Sequence, residues 1–335
     1  MLIHPGISFG FALVASVILT PIVKKISQKT GYVSTPQKDR WHTKTTALLG
    51  GISIYVAFVI SLLLFSGLNN IALNLLVGGS IIFIIGLIDD LKRIKPKYKL
   101  LGQILAAVVL IYLGVSAGIF SNQIFNIAFS LFWLVALANA FNLLDNMDGL
   151  TAGVAAISSF ALGAYAYMTA QPSLGLICLL MAGSLLGFLC YNFNPAKIFM
   201  GDSGSLFIGF MIGALSLQIV WMKPSENILL NLTPFLFAAV PLFDTTFVTV
   251  MRILHGRKIS QGGKDHTSHR LTHYGLSEKS VAFILYSISM ICCLGALSWF
   301  YVSTTLSYLF LVIIITLFVF ITYFLVKIKV YQNKN

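Results

Sequence analysis

Residues 81–93 read IIFIIGLIDDLKR, an apolar run that ends in two adjacent aspartates followed by basic residues. The run begins near residue 71, so as a helix it is long enough to cross a bilayer. A carboxylate beside hydrocarbon is costly because lipid offers no water to solvate it. Asp89 and Asp90 therefore indicate a membrane interface, where they serve either chemistry or simple pairing with Lys92 and Arg93.

The rest of the chain has the same character. Its 335 residues are 58% hydrophobic, with a mean hydropathy of +0.90, which is typical of membrane proteins. The sequence predicts an all-α polytopic membrane protein that forms a single domain over residues 1–335. About eleven transmembrane helices are predicted, at 5–23, 47–66, 71–88, 99–117, 124–142, 150–169, 173–192, 204–222, 229–251, 280–301 and 306–326.

Basic residues give these spans an orientation. Of the 22 lysines and arginines, all except Lys223 fall in loops on one side of the predicted topology. This bias marks the cytoplasmic side and predicts an N-terminus outside and a cytoplasmic C-terminus. The charge is explained by topology and by anionic lipid headgroups. It does not indicate nucleic-acid binding, because the chain has no folded basic module for it.

Acidic residues are few, and they share the basic side. Of the ten, only Glu226 is predicted on the opposite side. Carboxylates gathered at a basic membrane surface predict a site for a divalent metal and the phosphates it carries. A secondary transporter would instead hold ionisable groups near the bilayer midplane.

Two motifs supply the strongest candidates. Asn142, Asp145 and Asp148 recur every third residue, which would place them on one face of a helix that ends near Gly149. Asp202, in Gly201-Asp202-Ser203-Gly204-Ser205, is predicted at a helix N-terminus with Ser203 and Ser205 as caps. The alternatives are a polar helix terminus for the first motif and a simple N-cap for the second.

Three further segments carry weaker signals. Asp265-His266-Thr267-Ser268-His269 indicates a basic wall for phosphate, or less favourably two ligands of a transition metal. Gly50-Gly51 at the start of a span, close after Lys44, favours helix packing over phosphate approach. Asp244, inside a predicted span, requires a partner such as Arg252 or another site residue.

Taken in order, these motifs resemble the polyprenyl-phosphate N-acetylhexosamine-1-phosphate transferases of glycosyltransferase family 4. The resemblance spans roughly residues 35 to 275 and is closest to the bacterial undecaprenyl-phosphate GlcNAc-1-phosphate branch. Ser268 stands where that family has a further histidine, and Thr45 or Thr46 stands where relatives often have proline. The branch that makes the peptidoglycan lipid usually has three consecutive histidines instead.

The resemblance implies a role for each candidate residue. It implies that Asp202 binds Mg²⁺, with Mn²⁺ as an alternative, and that Asp89 and Asp90 are catalytic. Asp89 would act as a general base, or as a nucleophile in a two-step path. The residues implied in substrate binding are Lys44, Asn142, Asp145, Asp148, Phe199, His266 and His269, of which Phe199 would stack on uracil.

The implied reaction transfers GlcNAc-1-phosphate from a UDP-sugar to undecaprenyl phosphate, releases UMP and starts cell-envelope glycan synthesis. Its implied partners are the UDP-sugar, the polyprenyl phosphate and the membrane, and a homodimer is left open. The expected location is the bacterial cytoplasmic membrane, with the site on its cytoplasmic face. The alternatives are phospho-MurNAc-pentapeptide transfer and, less favoured, an intramembrane prenyltransferase, which would need acidic motifs at a wider spacing.

Overall fold

The structure, a computed structural model, describes residues 4–35, 45–67, 69–259, 263–328 and 330–331. These residues are 77% helical with almost no sheet, as predicted. The α-helices are α1 (Pro5–Thr30), α2 (Gly50–Phe65), α3 (Asn70–Lys92), α4 (Pro96–Tyr112), α5 (Gln123–Leu144), α6 (Leu150–Met168), α7 (Pro172–Asn192), α8 (Gly201–Ser216), α9 (Ile228–Asn231), α10 (Thr233–Phe237), α11 (Ala239–Leu254), α12 (Thr267–His273), α13 (Glu278–Ser298) and α14 (Thr304–Lys327). Two short strands are β1 (Val33–Ser34) and β2 (Thr46–Ala47), and a π-helical turn, Leu217–Trp221, continues α8.

Within the described ranges, eight helices are long and apolar enough to cross a membrane. They are α1, α3, α5, α6, α7, α8 with its π-helical turn, α13 and α14. Each coincides with a predicted span. The prediction of an all-helical, multi-pass membrane protein is therefore confirmed.

The other three predicted spans are shorter or interrupted helices. The second is α2, which has 16 residues because residues 46–47 form a strand instead. The fourth is α4, with 17 residues and two lysines in its first turn. The ninth is divided into α9, α10 and α11, with breaks at Leu232 and Ala238. Pro234 lies at the start of α10, where its missing N–H costs little.

Helix α8 lies at the centre of the bundle. Every residue of its most apolar stretch is buried, and it packs between α3 and α5. Glycine permits this close approach: a Cβ added to Gly209 would lie 2.3 Å from the Leu137 carbonyl oxygen on α5, and one added to Gly86 on α3 would lie 2.5 Å from the Asp202 carbonyl oxygen. The acidic ends of α3 and α5 are thereby held against the start of α8.

The segment before α2 fixes the loop that precedes α8. β1 and β2 pair antiparallel, and the Phe199 amide donates to the Ala47 carbonyl at 2.8 Å. The amides of Gly50 and Gly51 donate to the carbonyls of Phe199 and Met200 at 2.9 and 2.7 Å. A Cβ on Gly51 would lie 2.2 Å from the backbone nitrogen of Gly204. The packing interpretation of the glycine pair is confirmed.

Candidate active site

The acidic motifs meet at one cavity of about 500 Å³. Residues from the end of α3, the turn after α5, the loop before α8 and the start of α13 line it. Its carboxylates are Asp89, Asp90, Asp145, Asp148, Asp202 and Glu278, and its other lining residues include Arg93, Phe199 and His269. Separate helices therefore bring together charges that lie far apart along the chain.

Lys99, near the start of α4, joins three of these elements. Its Nζ lies 3.1 Å from Asp89 Oδ2 on α3 and 3.1 Å from Asn142 Oδ1 on α5, and it also contacts Asp202 Oδ2 on α8. Asn142 donates to Asp202 Oδ1 at 2.9 Å, so it is held against that carboxylate and does not itself line the cavity. We refer to Lys99, Asp89, Asn142 and Asp202 as the cavity cluster.

Sequence reasoning did not select Lys99 as a site residue. The available signal was its position one turn inside an apolar helix, where a charged side chain needs a partner. Its partners are predicted site residues, which makes it part of the site.

Asp90 caps helix α8 from another helix. Its Oδ1 accepts the amide of Asp202 at 2.7 Å, and its Oδ2 accepts the amide of Ser203 at 2.9 Å. A carboxylate at a helix N-terminus satisfies free N–H groups and complements the helix dipole. The prediction that Ser203 and Ser205 cap α8 is wrong, because Ser205 Oγ donates to the Gly201 carbonyl at 3.0 Å. Asp89 and Asp90 serve different partners, as their separation on a helix predicts.

The turn after α5 replaces a predicted helical face. Helix α5 ends at Leu144, and Gly149, with a φ of 74°, precedes α6. The prediction that Asn142, Asp145 and Asp148 share one helix face is therefore wrong. The turn is fixed at Gly149, whose amide donates to Asn192 Oδ1 at 3.1 Å and whose carbonyl accepts from the Tyr286 hydroxyl at 2.6 Å.

Asp145 lies in this turn and lines the cavity. Burial raises the pKa of Asp145 to about 8, and the negative charges of Asp202 and Asp90 add to the rise. Its carboxyl is therefore protonated over much of the neutral range. Positive charge entering the cavity would favour the ionised form.

Asp148 forms a separate acidic group with Glu278. Asp148 Oδ2 accepts the Ala196 amide at 2.8 Å and lies 3.3 Å from Asn194 Nδ2. Asn194 Nδ2 also donates to Glu278 Oε2 at 2.7 Å. Sequence reasoning missed Glu278, for which the only signal was an acidic residue at the start of a span.

The histidine segment, residues 263–273, contains α12 and reaches the cavity through His269. Burial lowers the pKa of His269 to about 4, and the electrostatic effect of the neighbouring His266 lowers it further, so the His269 ring is neutral at neutral pH. Their rings lie 5.5 Å apart. His269 therefore offers a neutral hydrogen-bonding ring to the cavity.

His266, predicted as a second substrate-binding residue, does not line the cavity. It is 5% exposed, and its Nδ1 lies 2.7 Å from Asp244 Oδ2. Asp244 Oδ1 accepts the Thr267 amide at 2.7 Å. The partner of Asp244 is thus His266 and not Arg252, which pairs with Asp265 at 2.7 Å. The partner that Asp244 requires is therefore itself a predicted site residue.

The predicted substrate-binding residue Lys44 lies outside the described residues. The predicted metal site falls within them. Within the described part of the chain, no group of three or more histidine, cysteine, aspartate or glutamate side chains is arranged to hold a metal ion. Magnesium is commonly bound through one or two carboxylates together with substrate phosphates and water, so this finding does not conflict with Asp202 as a ligand.

Comparison with known proteins identifies a matching family model and several similar proteins. Residues 72–220 match the model of glycosyl transferase family 4. The chain is 34% identical to the probable undecaprenyl-phosphate N-acetylglucosaminyl 1-phosphate transferase of Bacillus subtilis, over 87% of this chain and 84% of the relative. It is 31% identical to the decaprenyl-phosphate N-acetylglucosaminephosphotransferase of Mycolicibacterium smegmatis (86% and 80%), and 32% identical to the phospho-N-acetylmuramoyl-pentapeptide-transferase of Enterococcus faecalis (84% and 94%).

A helical, multi-pass membrane protein with a carboxylate-lined cavity at its helix ends is the class that the fold and site define. The extent and identity of the matches are sufficient to assign the family. The chain belongs to glycosyl transferase family 4, which confirms the resemblance drawn from its motifs.

Proposed function

We propose that this protein transfers GlcNAc-1-phosphate from UDP-GlcNAc to undecaprenyl phosphate, releasing UMP and starting the synthesis of a cell-envelope glycan. The observation that carries the proposal is the cavity cluster, in which Lys99 links carboxylates from α3 and α8. The names of the Bacillus subtilis and Mycolicibacterium smegmatis relatives support the sugar and the lipid phosphate.

The nucleoside would bind against Phe199 and Asp148, which both line the cavity. An aromatic ring offers a stacking surface to a base, and carboxylates accept hydrogen bonds from ribose hydroxyls or the uracil N–H. Asp148, Glu278 and Asn194 supply such groups in mutual contact. Cations are needed for the diphosphate. Arg93 lines the cavity, and Lys99 contacts Asp89, which also lines it.

Magnesium is compatible with the residues of the cavity cluster. Oxygen atoms from Asp89, Asn142 and Asp202 already surround the Lys99 ammonium, so this is a place where three helices present oxygen to a cation. Asp202 would hold the ion, with Asn142 beside it. When bound, Mg²⁺ would supply positive charge that stabilises the diphosphate and the departing UMP.

In the proposed reaction, an oxygen of the lipid phosphate attacks the β-phosphorus of the UDP-sugar. A bond forms between them, and the bond from the β-phosphorus to the bridging oxygen breaks, with its electron pair leaving on UMP. The lipid phosphate is already mostly ionised at neutral pH, so Asp89 need contribute little as a base. Lys99 would hold Asp89 beside Asp202 and share the charge that develops on the phosphates.

We further propose that the chain crosses the bacterial cytoplasmic membrane eleven times, with α2, α4 and the interrupted α9–α11 completing the eight long spans. The N-terminus would lie outside, and the cavity and C-terminus would face the cytoplasm, where the basic loops lie. UDP-sugars would then reach the cavity from the cytoplasm.

The test is release of UMP by the purified full chain supplied with UDP-GlcNAc, undecaprenyl phosphate and Mg²⁺. We expect UMP and a lipid-diphosphate sugar in equal amounts, with neither formed when the lipid phosphate is omitted. UDP-MurNAc-pentapeptide in a parallel reaction decides the donor, since exclusive use of that substrate would overturn the GlcNAc assignment. No transfer from either donor would overturn the proposed function.

A further inference from the structure

The C-terminal end of α14 is held by a buried arginine from the histidine segment. Arg270 is 1% exposed. Its Nη1 donates to the carbonyls of Ile328 at 2.7 Å and Leu325 at 3.0 Å, and its Nε donates to the Asp265 carbonyl at 3.2 Å. Carbonyls at a helix C-terminus lack partners in the helix, and a cation there also complements the helix dipole. The arginine thus joins α14 to the segment that carries His269.

Tyr331, just beyond α14, makes a second connection. Its hydroxyl donates to Asp265 Oδ2 at 2.8 Å. Its ring lies 5.4 Å from the guanidinium carbon of Arg270, 4.9 Å from that of Arg257 and 4.5 Å from the ring of His255. The tyrosine therefore contacts residues on both sides of the connection between α11 and α12.

Asp265 is the common partner of these contacts. Arg252 donates to both of its oxygens, at 2.8 and 2.7 Å. Burial alone would raise the pKa of Asp265, but hydrogen bonds from Arg252 and Tyr331 outweigh it and lower the pKa. Asp265 is thus an ionised, fixed anchor at the start of the histidine segment.

The opposite side of the same segment meets the cavity. Ser268 Oγ donates to Asn146 Oδ1 at 2.5 Å, in the turn that holds Asp145 and Asp148. His269, next to Ser268 and Arg270, lines the cavity. A displacement of Asp265 or Arg270 would therefore be passed to His269 through adjacent residues.

The remainder of α14 packs lightly. Only 11% of its most apolar stretch is buried inside the bundle, whereas Leu325 and Ile328 at its end are buried. A helix needed only to cross lipid would not require a buried arginine at its end. We propose that the C-terminal end of α14 is a positioning element of the active site, in which Tyr331 and Arg270 hold the histidine segment so that His269 faces the cavity.

The sharpest test is Tyr331→Phe, which removes one hydroxyl and leaves the ring. Tyr323→Phe is the matched control, because Tyr323 lies in the last turns of α14, is 60% exposed, and its hydroxyl has no hydrogen bond to any described residue. Hydrogen exchange measured by mass spectrometry reports the segment directly. We expect faster exchange at residues 263–273 in Tyr331→Phe, and wild-type exchange there in Tyr323→Phe.

The kinetic measurement rests on the proposed function. Loss of a hydrogen bond to a carboxylate should raise the KM for UDP-GlcNAc about fivefold. The turnover at saturating donor, the KM for undecaprenyl phosphate and the Tm should stay near wild type, because a misplaced neutral ring weakens donor binding in ground and transition states alike. A merely structural defect would lower the Tm and all kinetic constants together.

The outcomes separate the two proposals. Wild-type exchange and wild-type KM in Tyr331→Phe would overturn the positioning role, as would a general loss of stability without a selective rise in KM. If the wild-type chain transfers no sugar phosphate, the proposed function fails, and exchange at residues 263–273 alone decides the positioning role.

Discussion

The cavity cluster and the histidine segment are both rich in charge, but they are built differently. In the cavity cluster, Asp89 and Asp202 line the cavity, and one lysine serves both carboxylates. In the histidine segment, His266 and Asp265 form closed pairs with Asp244 and Arg252 of α11, and all four side chains are almost fully buried. The carboxylates of the cavity cluster therefore face a space where a ligand fits. The charges of the histidine segment are paired with one another and hold the backbone in place.

This difference separates two consequences of substitution. Carboxylates facing a cavity contribute little to folding, since bringing them together is itself unfavourable. Closed buried pairs hold the backbone, and removing one member leaves the other without a partner. Changes in the cavity cluster should therefore reduce turnover, and changes in the buried pairs should reduce stability.

The largest effect is expected for Asp202→Asn. Loss of this charge should lower turnover about 10³-fold, because stabilisation of the transferring phosphate depends on cations held there. The Tm should remain near wild type. Initial rates of UMP release over a range of Mg²⁺ concentrations measure the effect. The control is Glu226→Gln, which changes an exposed acid outside the cavity. Near-normal rates in Asp202→Asn would show that Asp202 is not part of the site.

The buried pair is tested by Asp244→Asn. Asp244 accepts hydrogen bonds from His266 Nδ1 and from the Thr267 amide on two different oxygens, and an amide side chain has only one acceptor oxygen. We expect the free energy of unfolding to fall by about 2–3 kcal/mol. Thermal melting of the detergent-purified protein measures the loss. A wild-type Tm with strongly reduced turnover would reverse the assignment and make Asp244 part of the reacting site.

A smaller effect is expected for Phe199→Ala. Stacking between a base and an aromatic ring is worth about 1–3 kcal/mol, so the KM for UDP-GlcNAc should rise about tenfold. The KM for undecaprenyl phosphate should change little. Phe132→Ala, at an exposed position on α5, is the control. An equal rise in both KM values would argue against uracil stacking at Phe199.

The smallest effect concerns Asp145 and pH. Because its pKa is raised from 3.8 to about 8 in the folded protein, its contribution to stability is fully present below pH 3.8 and is lost as the pH rises to about 8. Asp145→Asn should therefore raise the Tm, relative to wild type, more at pH 8 than at pH 5, measured in EDTA. Added Mg²⁺ should reduce that difference. A difference independent of pH would contradict the raised pKa.

Part of the candidate site could be predicted from short sequence motifs alone. The acidic ends of α3 and α8 and the turn at Asp145 lie in short polar motifs between apolar runs, so the sequence predicts both their chemistry and their place at helix ends. Lys99 and Glu278 were missed, because a lysine or glutamate at the start of an apolar helix resembles ordinary interfacial charge. Only their contacts with Asp202 and Asn194 separate them from the other basic and acidic residues.

Predictions from local sequence patterns were wrong where a residue far away in the chain supplied the hydrogen-bonding partner. Ser203 and Ser205 are good capping residues, but Asp90 from α3 provides a charged acceptor for the same amides. A three-residue repeat predicts a helical face through Asp148, but Gly149 is held by Asn192 and Tyr286, and the helix ends at Leu144. In both places, the residue that makes the observed contact lies more than 40 positions in the chain from the group that it contacts.

The sequence by itself determined that this chain is a helical membrane protein whose acids gather at helix ends, because apolar length and the cost of charge in lipid act locally along the chain. Only the tertiary structure decided which acids share a lysine, which one caps a neighbouring helix, and which histidine reaches the cavity. Those choices depend on contacts between residues far apart in sequence, where close helix packing selects one partner among several chemically equivalent ones.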